Sequence, residues 1–337
     1  MPFIDLNYND IYRKYTIKKI ICLYKVIDIL ILMIILLIIK PYIKERGKKI
    51  NLHNERNIAV KLNNKKISFK KCYIPLDYVY LRIIHLIITR FIIELPKSKE
   101  FTKNIYSKEF ILNGFRVMEK YLLPSLESQT CNDFVWILMI GNKVNKTYIE
   151  SILDFNSSFR YKIIYKNEFQ NYLKNVSKAY DVLIQTRMDY DDRIYYDAVN
   201  DIRKVININK PILLHGYNRG VLYFESNKKY YELYNKKGNE GALGLFLSLI
   251  LFTNNTNKLN HILTIFEIGN HWKSRKTLLE KYKSYGIKEL DYDPAVFDSG
   301  GEKFVYVRQK YSHSYNYHLK RIELLKEQNF NLNQFLA

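Results

Sequence analysis

A chain of 337 residues is long enough for one large domain or two small ones, and a content of 47% hydrophobic and 15% aromatic residues excludes wholesale disorder. Lys and Arg number 54 against 33 Asp and Glu, and the resulting formal charge of +21 suits an anionic partner: nucleic acid, a membrane surface or a phosphorylated substrate. The basic residues are scattered, with no helix-turn-helix, zinc-finger or RNP-like pattern among them, so no specific nucleic acid is expected as a partner. The cysteines, Cys22, Cys72 and Cys131, include no Cys-x-x-Cys pair and indicate neither a disulfide framework nor a structural zinc site.

Residues 1–19 form a basic N-terminal tail. The chain then turns apolar over 20–40, where the uninterrupted run Ile29–Ile39 is eleven residues, short of the ~20 that a spanning helix needs. Extending the segment back to Ile20 reaches that length and includes Lys25 and Asp28, at a spacing that lets them neutralise one another. No small-residue cleavage site follows, so the expectation is an uncleaved, single-pass N-terminal anchor that ties the protein to a membrane. Basic residues at both ends leave its orientation open. Residues 41–77, rich in Lys and Asn, read as a stem or linker.

The folded domain is expected over 78–316. Leu81–Ile93, Phe134–Ile140, Tyr161–Tyr165 and the run from Val182 read as buried strands. Helical spacing covers 107–128, weakened by Gly114 and Pro124, and also 146–153, 168–179 and 194–206. Strands alternating with helices predict an α/β fold with a mostly parallel sheet flanked by helices. Further on, Ile212–Tyr217 and Val221–Phe224 read as two strands joined by an Asn-Arg-Gly turn. The stretch 244–250 reads as packing, 264–275 as a loop, and 317–337 as a C-terminal helix and tail.

The fourth strand runs into Thr186-Arg-Met-Asp-Tyr-Asp-Asp192, which places Asp189, Asp191 and Asp192 within four residues of a strongly basic chain. Carboxylates so close repel one another unless a positive charge lies between them. A hard divalent cation such as Mg²⁺ or Mn²⁺ is one remedy. The carboxyl edge of an open α/β sheet is also where nucleotides bind. The alternative is a solvated turn, with Asp192 as the N-cap of the next helix.

Four stretches taken together, Ile88-Thr-Arg-Phe91, the run from Tyr121 to Trp136 that holds Pro124-Ser-Leu and Gln129-Thr, Thr186–Asp192, and Gly269-Asn-His-Trp-Lys-Ser-Arg275, resemble in order and spacing the putative rhamnosyl transferase family. The resemblance covers about 80–276. It implies a GT-A-like, Rossmann-like glycosyltransferase that moves a sugar from a nucleotide-sugar donor to a hydroxyl acceptor on a glycan or glycoconjugate. The family's name offers rhamnose as the sugar. The resemblance further implies Asp189, Asp191, Asp192 and His271 as candidate metal ligands for Mg²⁺ or Mn²⁺. Thr89, Arg90, Arg187 and Asp189 would lie at the nucleotide end, with Lys273 or Arg275 as a diphosphate clamp. Here His271 stands between Asn270 and Trp272, displaced from the family's pattern. An inverting enzyme needs a carboxylate base, for which Glu240, Asp291 and Asp293 are equally placed in the sequence. Three rival classes stand beside this reading: a catalytically inactive glycan- or nucleotide-binding relative, a basic nucleic-acid-binding protein, and a metal-dependent phosphotransferase or nuclease.

Overall fold

The computed structural model describes residues 81–93, 105–153, 157–234, 246–253, 262–268, 273–284, 292–298, 303–308, 327–328 and 330. All belong to the second of two compact units, 67–337. The apolar segment at 20–40, the stem at 41–77 and the C-terminal stretch 317–326 lie outside the described residues. Among the described residues no helix is long and apolar enough to cross a membrane.

The strands are β1 (Ile83–Phe91), β2 (Val135–Ile140), β3 (Arg160–Tyr165), β4 (Val182–Arg187), β5 (Arg193–Ile194), β6 (Ile212–Tyr217), β7 (Arg219–Phe224), β8 (Lys229–Tyr234), β9 (Ser248–Phe252), β10 (Ala295–Asp298), β11 (Phe304–Arg308) and β12 (Glu327–Gln328). The helices are α1 (Lys108–Val117), α2 (Leu123–Glu127), α3 (Lys146–Ile152), α4 (Phe169–Ala179), α5 (Ala198–Lys204) and α6 (Ser274–Ser284). A seven-stranded sheet has the order β10-β6-β9-β4-β1-β2-β3, and a five-stranded sheet the order β12-β8-β7-β11-β5. In the larger sheet β4, β1, β2 and β3 run parallel, and β9 enters antiparallel between β4 and β6. This is the mixed α/β fold with a mostly parallel sheet that the strand and helix pattern predicts.

The central strands are mostly apolar and buried because both of their faces are covered, as a parallel sheet requires, with His85, Thr89, Gln185 and Thr186 buried among them. On one face Ile87, Phe91, Trp136 and Leu138 pack against Phe115, Met118, Leu122 and Leu126 of the helical segment 108–127. On the other, Leu86, Ile88, Ile137 and Met139 meet Phe169, Leu173 and Val176 of α4 and Leu278 of α6. Helix α5 adds Ile202 and Ile206, just beyond its end, to a third cluster with Val182, Ile184 and Ile250.

The stretch 107–128 is helical across both of its predicted weak points, and each has a structural reason. Ser107 caps α1, its Oγ accepting from the Phe110 N–H at 3.2 Å. Gly114 faces β1 so closely that a Cβ there would lie 2.4 Å from Phe91 Cε2, so only glycine lets helix and strand approach this far. Between α1 and α2 lies a π-helical turn, Met118–Leu122, in which the Leu123 N–H reaches the Met118 carbonyl. Pro124 stands in the first turn of α2 and has no N–H to give to the Lys120 carbonyl. That carbonyl accepts instead from Nη2 of Arg193, the residue directly after the Asp cluster. The break in the helix thus becomes a docking point for the segment that follows the Asp cluster.

Three expectations are corrected here. The helix expected from Ile194 starts at Ala198, because Arg193 and Ile194 pair with Val305 and Phe304 of β11. The two strands around Asn218 do not form a hairpin: β6 joins the larger sheet and β7 the smaller. Cys131 is buried and disulfide-bonded, where the cysteine spacing indicated no disulfide framework.

Candidate active site

The carboxyl ends of β1 and β4 lie side by side, with Ile88 opposite Arg187. Pairing continues one residue further, where the Met188 N–H donates to the Ile88 carbonyl at 3.0 Å. The chain then turns sharply, the Asp192 N–H reaching back to the Asp189 carbonyl at 3.4 Å. Tyr190, between the first two aspartates, sets its ring edge-on against Phe91 at 5.6 Å. Met188 is fully buried. These two anchors hold the turn to the sheet.

Asp189 lies 3.7 Å from Nε of Arg187, beyond hydrogen-bond range, and that buried Nε has no hydrogen-bond partner. Arg90 is two residues beyond Ile88 and so projects from the same face as Arg187. Its guanidinium stacks over Phe266 at 4.9 Å. Burial, reinforced by the neighbouring Arg187 charge and opposed by Asp189, lowers the Arg90 pKa to about 10. Arg90, Arg187 and Asp189 therefore form one electrostatic group at the sheet edge.

Asp191 is pushed up to about 6, mainly by burial, with Arg308 opposing the shift and Asp189 adding to it. Asp192 is wholly buried, and burial together with Asp191 raises its carboxyl well above the usual range. Its Oδ1 accepts from the Val307 N–H at 3.0 Å and lies 3.8 Å from Nη1 of Arg308. Its Oδ2 has no hydrogen-bond partner. Arg308 in turn stacks on Tyr306 at 4.0 Å. The N-cap position of α5 falls to Asp197, not Asp192. Asp192 thus links the turn to β11, and its expected role as the N-cap of the next helix is corrected.

The motif around Gln129 explains itself as the mould for the segment that follows the turn. Gln129 Nε2 donates to the carbonyls of Ser125 and Tyr195 at 2.9 and 2.8 Å, and its Oε1 accepts from the Val199 N–H at 3.1 Å. The Thr130 N–H donates to the Tyr196 carbonyl at 2.9 Å, and its hydroxyl donates to Asp197. Asp133 binds both Arg160 and the buried Arg203 of α5, each at 2.9 Å. A buried polar side chain with several partners fixes one geometry, because losing any of them leaves an unsatisfied group.

Other expected site residues are placed differently. Thr89 is fully buried, and its hydroxyl accepts from the Trp136 indole N–H at 3.0 Å. It knits two of the recurring stretches together inside the core instead of facing the sheet edge, which corrects its expected nucleotide contact. Arg275 is paired with Asp293 at 2.9 Å on the surface, so it does not stand free as a clamp, and Lys273 is exposed. His271, Glu240 and Asp291 lie outside the described residues. Among the described residues no three carboxylate, imidazole or thiolate groups converge to hold a metal. Of the four candidate ligands, Asp189, Asp191 and Asp192 share the turn after β4, with Asp192 buried, and His271 lies outside the described residues. Two carboxylates suit a Mg²⁺- or Mn²⁺-type ion that completes its shell with water and substrate phosphates. Sequence reasoning missed Arg193, Tyr306 and Arg308. The alternating run Phe304-Val-Tyr-Val-Arg308 carries a period-2 signal that could have revealed β11.

With this geometry in view, the comparisons are specific about one part of the chain. Residues 80–241 match the family described as "Putative rhamnosyl transferase". That span holds β1, the helical segment, the Gln129 motif and the Asp turn. No curated protein matches the chain in sequence. Solved structures with a similar chain course include a mannosyltransferase from Pyrobaculum calidifontis in complex with GDP-Man and Mn²⁺ (10% identity, TM-score 0.36, 76% of this chain and 64% of that one). TarS from S. aureus in complex with UDP is similar at 10% identity, TM-score 0.33, over 72% and 64% of the two chains. A protein described as a "putative nucleotide-diphospho-sugar transferase" from Desulfovibrio desulfuricans G20 is similar at 10% identity, TM-score 0.32, over 72% and 96%. The match thus spans 64% of the length of each of the first two proteins.

Proposed function

We propose that the chain is a nucleotide-sugar-dependent glycosyltransferase of GT-A-like fold, acting on a hydroxyl of a glycan or glycoconjugate. One observation carries the reading. The Asp189–Asp191 turn and the pair Arg90 and Arg187 share the carboxyl edge of a mostly parallel sheet, within a span that matches the rhamnosyl transferase family. The sheet edge is the place for a nucleotide. The reaction releases a nucleoside diphosphate whose charge grows as the glycosidic bond to phosphate breaks, and fixed cations lower that barrier. Arg90 and Arg187 are such cations, held by Phe266 on one side and Asp189 on the other. Asp189 and Asp191 would hold a divalent ion, which when bound supplies further charge stabilisation to the leaving diphosphate. The acceptor hydroxyl must lose a proton to a base, and Asp293, held by Arg275, is engaged elsewhere.

The same reading takes 78–316 as the catalytic domain, 41–77 as its stem and 20–40 as a single-pass anchor. The apolar length and flanking basic residues of 20–40 support this. The sugar is left open, with rhamnose as the family's label. The test is hydrolysis of a panel of UDP-, GDP- and dTDP-sugars by the full chain, with and without Mn²⁺, beside Asp191→Ala. Slow release of one nucleoside diphosphate, lost in the variant, is the expected result. A folded chain that neither binds nor hydrolyses any donor would refute it.

A further inference from the structure

The charges of this site balance before any ligand arrives. Arg90, Arg187 and Arg308 face Asp189, Asp191 and Asp192, three against three. Arg308 and Asp192 cancel inside the protein, where they are 5% and 0% exposed. The pairs left at the rim, Arg90 and Arg187 with Asp189 and Asp191, also sum to zero. An isolated acidic cluster attracts a cation, but this set has no surplus negative charge to offer one. It does have a vacant donor: Arg187 Nε is buried, lies 3.7 Å from the nearest carboxylate and has no hydrogen-bond partner. A buried donor without a partner is costly, and Arg90 beside it is pre-oriented on Phe266.

From this arrangement, and resting on the reading of the site as a nucleotide-sugar site, we propose an order of assembly: Arg90 and Arg187 take the donor's diphosphate without a divalent ion, and a divalent ion binds well only once that diphosphate is in place. Guanidinium groups recognise phosphate oxygens through paired, charge-assisted hydrogen bonds. A doubly positive ion entering alone would leave the balanced site with uncompensated positive charge. With a diphosphate present, the phosphate oxygens both restore neutrality and complete the ion's coordination shell beside Asp189 and Asp191. The coupling is reciprocal, so each ligand tightens the other by the same factor.

The full chain is titrated calorimetrically with UDP, GDP and dTDP in EDTA, and Mn²⁺ binding is followed by the paramagnetic signal of free Mn²⁺ with and without the nucleotide. One nucleoside diphosphate is expected to bind in EDTA. Mn²⁺ is expected to bind at least tenfold tighter in its presence. Arg187→Gln should move the two affinities in opposite directions, weakening nucleotide binding in EDTA at least tenfold while strengthening Mn²⁺ binding in the absence of nucleotide. Arg90→Gln should do the same. Arg187→Lys, which keeps the charge, should leave Mn²⁺ binding as in the parent chain, so a simple loss of folding would be recognised. Nucleotide binding that requires Mn²⁺ would overturn the order while leaving the transferase reading intact. So would Mn²⁺ binding equally tight with and without nucleotide. Failure of every nucleotide to bind, with or without Mn²⁺, would sink both.

Discussion

Gly114→Ala is the substitution on which sequence propensity and the structure disagree most openly. In a helix interior, alanine is favoured over glycine by about 1 kcal/mol, so propensity alone predicts a more stable protein. The structure puts the new Cβ 2.4 Å from Phe91 Cε2 and 2.7 Å from Cζ, distances that force something to move. Phe91 is 1% exposed, and its ring is held edge-on by Phe115 at 5.1 Å and Tyr190 at 5.6 Å. Overpacking of this kind costs ~1–3 kcal/mol, and so short a contact belongs in the upper part of that range. After the helix gain is subtracted, the variant should be destabilised by about 1–2 kcal/mol. For a domain of this size that corresponds to a melting temperature lower by roughly 2–8 °C. The displacement is also transmitted, since Tyr190 sits between Asp189 and Asp191, so donor affinity should fall as well. Thermal and urea unfolding of Gly114→Ala, alone and in a Phe91→Leu background, measures this. The smaller side chain should make room for the methyl group, so the substitution should cost less in that background. A Gly114→Ala protein as stable as the parent, or more so, would refute the reasoning.

Three other outcomes follow from individual contacts. The Asp191 carboxyl, raised to about 6 from an ordinary 3.8, binds its proton more tightly folded than unfolded. The stability it contributes is therefore full below about pH 4 and lost as pH rises through 6. Asp191→Asn should accordingly stabilise the nucleotide-free chain by roughly 1–3 kcal/mol at pH 7.5 and by little at pH 4. Urea unfolding at the two pH values checks it, and destabilisation at pH 7.5 would contradict it. Thr89→Val leaves the buried Trp136 indole N–H without its acceptor and should cost ~1–3 kcal/mol of stability with donor affinity unchanged. Lost affinity at unchanged stability would return Thr89 to the nucleotide site. Cys131 should resist alkylation in the unfolded, unreduced chain and become reactive after reduction, read by peptide mass mapping, because it is disulfide-bonded.

How far these features could be read in advance depended on the range of the interactions that create them. Strands β1, β2 and β4 announce themselves because burial on both faces favours largely apolar runs. The aspartates stand out as a tight cluster of carboxylates in a basic chain, whereas Gln129 came to notice only through the family resemblance. Arg193 and Ile194 do not read as a strand, since their extended form comes from pairing with Val305 and Phe304, more than a hundred residues later. The roles of Asp192 and Thr89 were invisible for the same reason: the Val307 N–H and the Trp136 indole are distant in sequence. The misread hairpin at Asn218 shows a different limit. Alternation reports that two segments are strands but not which sheet each joins.

The placement of β9 and β11 has a practical consequence for anyone dividing this chain. The family match ends at residue 241, yet β9 at 248–252 fills the middle of the larger sheet and β11 at 304–308 locks the Asp turn. A fragment cut at that boundary would carry β4 and β6 with raw, unpaired edges facing an empty slot, a template for strand exchange and aggregation. It would also leave the buried Asp192 carboxyl without its Val307 and Arg308 partners. The family match ends at 241, but a piece that keeps both sheets whole runs on through β12 at Glu327–Gln328.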